Sequence, residues 1–170
     1  MRSKFLVPAV LSLSALMLTG CAISGPLSDL DGFETCQPSR EGTDVFFGAP
    51  LTNTGDKEIT ILDVVVKDSA NTAAVEFGVD ETAVVVGTAY YPDDTAGANP
   101  ESMSSIEFMV APQDATIKAD HTAGLLFKIV PQDPALAATV SNIAIKYQVA
   151  GTTYTATNKT TFTVAPLACF

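Results

Sequence analysis

The sequence predicts an all-β sandwich, on three observations. From Thr43 onward, short runs of β-branched and aromatic residues are punctuated by Gly, Pro, Asn and Asp. Several runs alternate apolar with polar residues, the period of a half-buried strand. No stretch keeps the i, i+3, i+4, i+7 apolar stripe of an amphipathic helix. Composition agrees: the 170 residues are 47% hydrophobic and 16% charged, apolar enough for a core and unlike the charge-rich profile of disordered chains. That length suits one ordinary domain.

The first element is an address rather than a fold. Arg2 and Lys4 make a short basic start, and Phe5 to Leu18 is almost wholly apolar. That run is shorter than the roughly 20 apolar residues of a transmembrane helix and suits the apolar region of a signal peptide. It ends at Leu18-Thr19-Gly20-Cys21, an aliphatic residue and two small ones before Cys, which resembles the lipobox of bacterial lipoproteins. The resemblance implies cleavage after residue 20 and a diacylglyceryl thioether on Cys21, whose thiolate is the nucleophile that takes up the lipid. The competing readings are an ordinary signal peptide with Cys at the cleavage site, or an uncleaved anchor.

Cleavage would remove Arg2 and Lys4, taking the 9 Lys+Arg to 7 against 19 Asp+Glu, a change from −10 to −12. Anionic headgroups repel such a surface, so lipid rather than charge must hold the protein at the membrane. With Cys21 acylated, Cys36 and Cys169 remain as an even pair in an oxidising compartment, where a disulfide persists. A bridge between them would tie the two ends of the domain together; two free thiols are the alternative.

Residues 21–42 then read as a lipidated tether, rich in Gly, Pro, Ser and acidic residues without helical periodicity. Asp29, Asp31 and Glu34 fill only part of an EF-hand pattern and read as solvated linker charge. The domain is expected over 43–170. Its strands are expected at about 44–51, 58–67, 74–79, 83–90, 105–110, 123–130, 141–149, 152–157 and 160–164. Between the first two, Asn53 can close an Asx-turn and Gly55 can take positive φ. Leu125, Phe127 and Ile129 occupy one face of their strand, and Ile143, Ile145 and Tyr147 one face of theirs. Ala150-Gly151 marks a tight hairpin. Residues 152–164 are compatible with one bent strand or two.

The hairpin from Val45 to Val66, with Asn-Thr-Gly-Asp at its turn, resembles the opening of bacterial immunoglobulin-like domains on cell-surface proteins. The segments 123–130 and 143–149, followed by Gly151 and Tyr154, are similar to their closing strands. The resemblance implies a single immunoglobulin-like β-sandwich of about 7–9 antiparallel strands. It lacks the Cys…Trp…Cys core of antibody-type domains, since there is no Trp.

Chemistry is hard to assemble from this chain. The single His, His121, lies in a polar turn beside Asp120, without the Ser–His–Asp arrangement of a hydrolase. The neighbouring carboxylates Asp80-Glu81 and Asp93-Asp94 read as solvated charge. Met103, Met109 and His121 are too sparse for a copper site, and Met109, flanked by Phe108 and Val110, reads as core filling in a strand. No glycine-rich strand-to-helix loop offers a phosphate site, and no helix is expected. The acidic chain has no basic cluster for nucleic acid. An enzyme, a metal centre and a cofactor are therefore not expected.

The exposed feature that invites a partner is Tyr90-Tyr91-Pro92-Asp93-Asp94. Adjacent residues of a strand point to opposite faces, so one tyrosine is a candidate contact residue with Asp93 and Asp94. Alternatively, Tyr90 packs inward and Tyr91 covers the sandwich rim. The function expected is that of a lipid-anchored, extracytoplasmic cell-envelope protein with a non-catalytic structural or interaction role. Its partners would be the membrane, through the lipid, and a second envelope protein. The alternative is a small-ligand or metal-binding lipoprotein that delivers cargo to a membrane partner.

Overall fold

The computed structural model describes residues 25–30, 32–82, 87–92 and 100–169. The signal segment 1–20, Cys21, Asp31, Asp93, Asp94 and the first half of the strand expected at 83–90 lie outside them.

The fold is all-β, in two sheets. The strands are β1 (Glu34–Pro38), β2 (Asp44–Thr52), β3 (Ile59–Ala70), β4 (Thr72–Asp80), β5 (Gly87–Tyr91), β6 (Thr116–Ile117), β7 (Thr122–Pro131), β8 (Ala138–Val149), β9 (Thr152–Asn158) and β10 (Thr161–Ala165). One sheet runs β1-β10-β8-β3-β6, with β9 also paired to β8; the other runs β4-β7-β2-β5. Among the described residues ten strands therefore stand where seven to nine were expected. The antiparallel expectation is departed from along the entering chain: β1 runs parallel to β10, Glu34 opposite Thr161 through Pro38 opposite Ala165, and the Leu30–Asn158 bridge before it is parallel too.

The core follows the alternation read from the sequence. Phe47, Phe127 and Phe162 are essentially buried and form a cluster between the sheets, with ring centroids 4.7–5.7 Å apart. Ile59, Ile61, Leu125, Ile143, Ile145 and Tyr147 extend it. Burying a large apolar side chain contributes about 1.5–3 kcal/mol, so this period-2 set dominates the fold's stability.

The tight hairpin forms as expected, Ala150 and Gly151 both taking positive φ (48° and 86°) between β8 and β9, the primed geometry that matches strand twist. Residues 152–164 form two strands. β9 pairs with Ile143–Val149 of β8 and β10 with Ala138–Val140. Between those stretches Asn142 takes φ 53°, and Thr160 N–H donates to Asn158 Oδ1 at the matching break, 2.9 Å.

Two expectations are corrected. Residues 105–110 are not a strand: a helix, α1 (Pro100–Phe108), precedes an extended bridge from Val110 to Val79. Proline suits the first turn of a helix and Glu101 complements its dipole. A short apolar run such as Ile106 to Val110 does not by itself distinguish helix from strand. Ile106 of α1 packs on Phe46 and Leu126, closing a small second cluster on the outer face of the four-stranded sheet. Met109 is half-buried there, against Gly78, where a Cβ would collide with its side chain.

The tether is the second correction. Of residues 21–42, the described ones, 25–30 and 32–42, are built into the domain. Leu27 is in the core, Leu30 bridges to Asn158, and 34–38 form β1. Composition conceals this because pairing along the edge of β9 and β10 uses main-chain groups, which any sequence supplies.

Candidate functional site

Two places on the molecule gather the residues singled out in the sequence. One is the end where the chain enters the sandwich from the direction of Cys21. The other is the opposite end, where Cys36 and Cys169 meet.

At the entry, the backbone of 25–30 is fastened by side chains from three elements. Pro26 carbonyl accepts from Thr54 N–H (3.0 Å) and from Thr54 Oγ1 (2.8 Å). Leu27 N–H donates to the buried Tyr147 hydroxyl at 3.2 Å. Tyr147 stacks on Tyr154, centroids 5.6 Å apart and planes at 23°. Gly25 lies against this pair: a Cβ there would collide with the Tyr147 hydroxyl and lie 2.7 Å from Tyr154 Cγ. Farther along, Asp29 Oδ1 accepts from Thr157 N–H at 2.8 Å, and Leu30 exchanges main-chain bonds with Thr157 and Lys159. Burial pushes the Tyr147 hydroxyl above its ordinary pKa; the hydrogen bond from Leu27 opposes this, and the charges of Asp29 and Tyr154 add to it.

Asn53 organises the same end. Its Nδ2 donates to the carbonyls of Lys57 (2.8 Å), Ile117 (3.0 Å) and Lys118 (3.0 Å), while its Oδ1 accepts from Gly55 N–H at 3.0 Å. The expected Asx-turn is therefore present. Gly55, however, is not among the positive-φ residues. It is glycine for space, since a Cβ would lie 2.7 Å from Pro26 Cβ. His121 is exposed in its turn, and its carbonyl accepts from Asn53 N–H at 2.9 Å.

At the other end Cys36 and Cys169 form a disulfide, with Cα atoms 5.8 Å apart across 133 residues of sequence. It sits beside the β1–β10 ladder, where Cys36 faces Thr163. It thus joins the first strand to the tail that follows the last. An open groove of about 910 Å³ lies beside it, lined by Glu34, Thr35, Leu136 and Leu167 among others.

Tyr90 and Tyr91 are parted as alternation requires. Tyr90 points inward and is 6% exposed. Its hydroxyl donates to Pro38 carbonyl (2.8 Å) and accepts from Gln37 Nε2 (2.7 Å), and Arg40 lies 3.6 Å over its ring. It fastens β5 of one sheet to β1 of the other, so it is a structural residue and not a surface contact. Tyr91 is half-buried on the outer face, edge-on to Phe46 at 6.3 Å.

Asp80 and Glu81 are not simply solvated. Asp80 is 3% exposed and its Oδ1 accepts from Thr82 N–H (2.9 Å) and Oγ1 (2.7 Å), and Glu81 accepts from Thr116 N–H. Asp80 thereby closes a turn at the end of β4, whereas Glu81 ties that turn to the start of β6. Among the described residues no group of three or more His, Cys, Asp or Glu converges as a metal site would require. The signal that sequence reading missed is the entry clamp. Tyr147 and Asn53 were visible as a core residue and a turn residue, but nothing in either marks residues 25–27 as its partner.

No protein family and no curated protein matches the chain. A solved structure of the Vibrio cholerae VesB protease superposes with a TM-score of 0.37 at 11% identity, covering 81% of this chain and 31% of that one. A likeness that slight carries no argument about function.

Proposed function

We propose that this chain is a lipid-anchored protein of the cell envelope, held outside the cytoplasm, whose sandwich has a structural or interaction role rather than a catalytic one. The observation that carries the reading is the Leu18-Thr19-Gly20-Cys21 tetrapeptide in register with a basic start and an apolar run. The Cys36–Cys169 disulfide supports it, since such bonds persist in oxidising compartments outside the cytoplasm. The two-sheet architecture, with the first strand parallel to the last, is compatible with an immunoglobulin-like sandwich. Two acyl chains anchor a protein stably where one is marginal. Replacing Cys21 with Ser is therefore expected to move the protein from the detergent phase to the aqueous phase or to leave full-length precursor. Detergent-phase protein of mature size from the Cys21→Ser gene would overturn the reading.

A further inference from the structure

If Cys21 carries lipid, the leash between lipid and domain is short, because the chain is fastened to the domain already at Gly25 and not first at residue 43. Four residues extended span at most about 14 Å, against about 70 Å for a free tether from 21 to 42. Gly25, Pro26 and Leu27 are locked in place by Tyr147, Tyr154 and Thr54. The attachment point therefore lies within that short radius of one end of the sandwich.

That end is formed by the turn at 53–58, the turn at 118–121 and the Ala150-Gly151 hairpin. Leu27 bridges Asn53, Asn53 bonds the carbonyls of Ile117 and Lys118, and the Tyr147–Tyr154 pair lies two residues below the hairpin tip. Two residues of strand project the tip about 7 Å beyond the tyrosines, half the leash. The chain then runs along β9 and β10 to the disulfide, and nine residues from Leu27 to Cys36 cover about 30 Å. The leash cannot reach that far.

Charge agrees with the placement. The exposed ionic residues of the entry end are Lys57 and Lys118 against Asp29, Asp56, Glu58, Glu81 and Asp120, a formal −3 with His121 neutral. The chain from Cys21 on carries −12 (7 Lys+Arg, 19 Asp+Glu). The hairpin tip, Val149-Ala150-Gly151-Thr152, is uncharged. This end, with its uncharged tip, therefore meets less repulsion from anionic headgroups than the rest of the surface would.

We infer that the end bearing the 53–58 turn, the 118–121 turn and the Ala150-Gly151 hairpin rests on the phospholipid headgroup layer, with the disulfide end directed outward. The inference rests on the lipid-anchor reading. It turns an anchored domain into an oriented one, with Leu136, Leu167 and the groove at Cys36–Cys169 presented to whatever approaches from outside.

The test uses the full lipidated chain in vesicles of phosphatidylethanolamine and phosphatidylglycerol containing a headgroup-nitroxide lipid. A fluorophore is placed at exposed Thr152 (Thr152→Cys) or at exposed Ala135 (Ala135→Cys), with the native disulfide left oxidised. Label at 152 is expected to lose most of its emission and label at 135 almost none. Inserting about 12 Gly and Ser residues after Ser24, with a mean reach of about 20 Å, should restore most of the emission at 152. Equal quenching at both positions, or no effect of the insertion, overturns the orientation while leaving the anchor standing. Intact mass of the purified protein reads the anchor separately: absence of the lipid on Cys21 overturns both.

Discussion

At its entry the chain is held by a spread of non-covalent contacts: Thr54 on Pro26, Tyr147 on Leu27, Asp29 on Thr157. At its exit a single covalent bond, Cys36 to Cys169, fixes the tail to β1. The two arrangements suit unlike tasks. Several polar contacts, the one from Leu27 to Tyr147 buried, define where residues 25–30 lie, and with them the direction from which an anchor would pull. One disulfide leaves local detail loose and acts chiefly by shrinking the ensemble of unfolded chains. Geometry is fixed at one end and connectivity at the other.

The largest effect expected on breaking this contrast is at the disulfide. Replacing both Cys36 and Cys169 with Ser opens a loop spanning 133 residues of sequence, and chain entropy puts the loss at up to about 5 kcal/mol. The sandwich core contains neither sulfur, so far-UV circular dichroism should remain that of a β protein while the denaturant midpoint drops. An unchanged midpoint would mean that the β1–β10 ladder suffices to hold the ends.

Next is Asn53→Ala. Asn53 is 1% exposed and its amide satisfies three carbonyls. Leaving buried acceptors without donors costs about 1–3 kcal/mol each where water cannot replace the lost partner. Because Lys57 and Lys118 are exposed, water can reach their carbonyls, and the expected loss is about 3 kcal/mol in total. Proteolysis near residues 25–30 should accelerate alongside the global loss. A loss of global stability with the entry segment still protected would uncouple Asn53 from the clamp.

Tyr147→Phe is a smaller, sharper cut. The ring stays stacked on Tyr154, but the acceptor for Leu27 N–H disappears, an unmade buried bond worth about 1–2 kcal/mol. Amide exchange at Leu27 should rise more than exchange in β7. A uniform change across both would place the hydroxyl's value in the core at large and not in the entry.

How much of this was legible follows the same division. The alternating strands, the Ala150-Gly151 hairpin and the Cys36–Cys169 pair could be read because each depends on a local pattern or on a residue with one partner chemistry. Tyr90 and Tyr91 could be parted by strand alternation alone. The helix over Leu126 was not legible, since the apolar residues of 106–110 fit a strand equally well and only the uncovered apolar face of β7 calls for a lid. The entry segment was least legible. Its bonds join main-chain groups to an edge and to scattered side chains, and the residues that receive Leu27, Tyr147 and Asn53, are some 120 and 26 positions away. The candidate interaction loop shrank for a related reason: Tyr90 spends its hydroxyl on Pro38 and Gln37, contacts that no local pattern announces.

The smallest effect distinguishes the clamp by its pH dependence. Tyr147 has a raised pKa, chiefly from burial, so its folded value exceeds the unfolded one. Above the ordinary tyrosine value of about 10, the unfolded chain gives up that proton while the folded chain keeps it, and stability must fall as pH rises. Lys128 acts with the same sign. Desolvation pulls its pKa down, but hydrogen bonds and charge from Glu76 and Asp44 outweigh this and leave it raised, so its contribution is present below the unfolded lysine value and fades as pH climbs through the folded one. Lys128 is on the four-stranded sheet, bonded to Asp44 at 3.2 Å and Glu76 at 3.0 Å, and it is unaltered in Tyr147→Phe. The difference between wild type and Tyr147→Phe, measured as denaturant midpoint from pH 8 to pH 11, therefore isolates the entry tyrosine. The wild type's advantage should be constant to about pH 9 and narrow above it. An advantage that grows with pH would require the tyrosinate to be the form the clamp prefers, and burial would then not be what governs this hydroxyl.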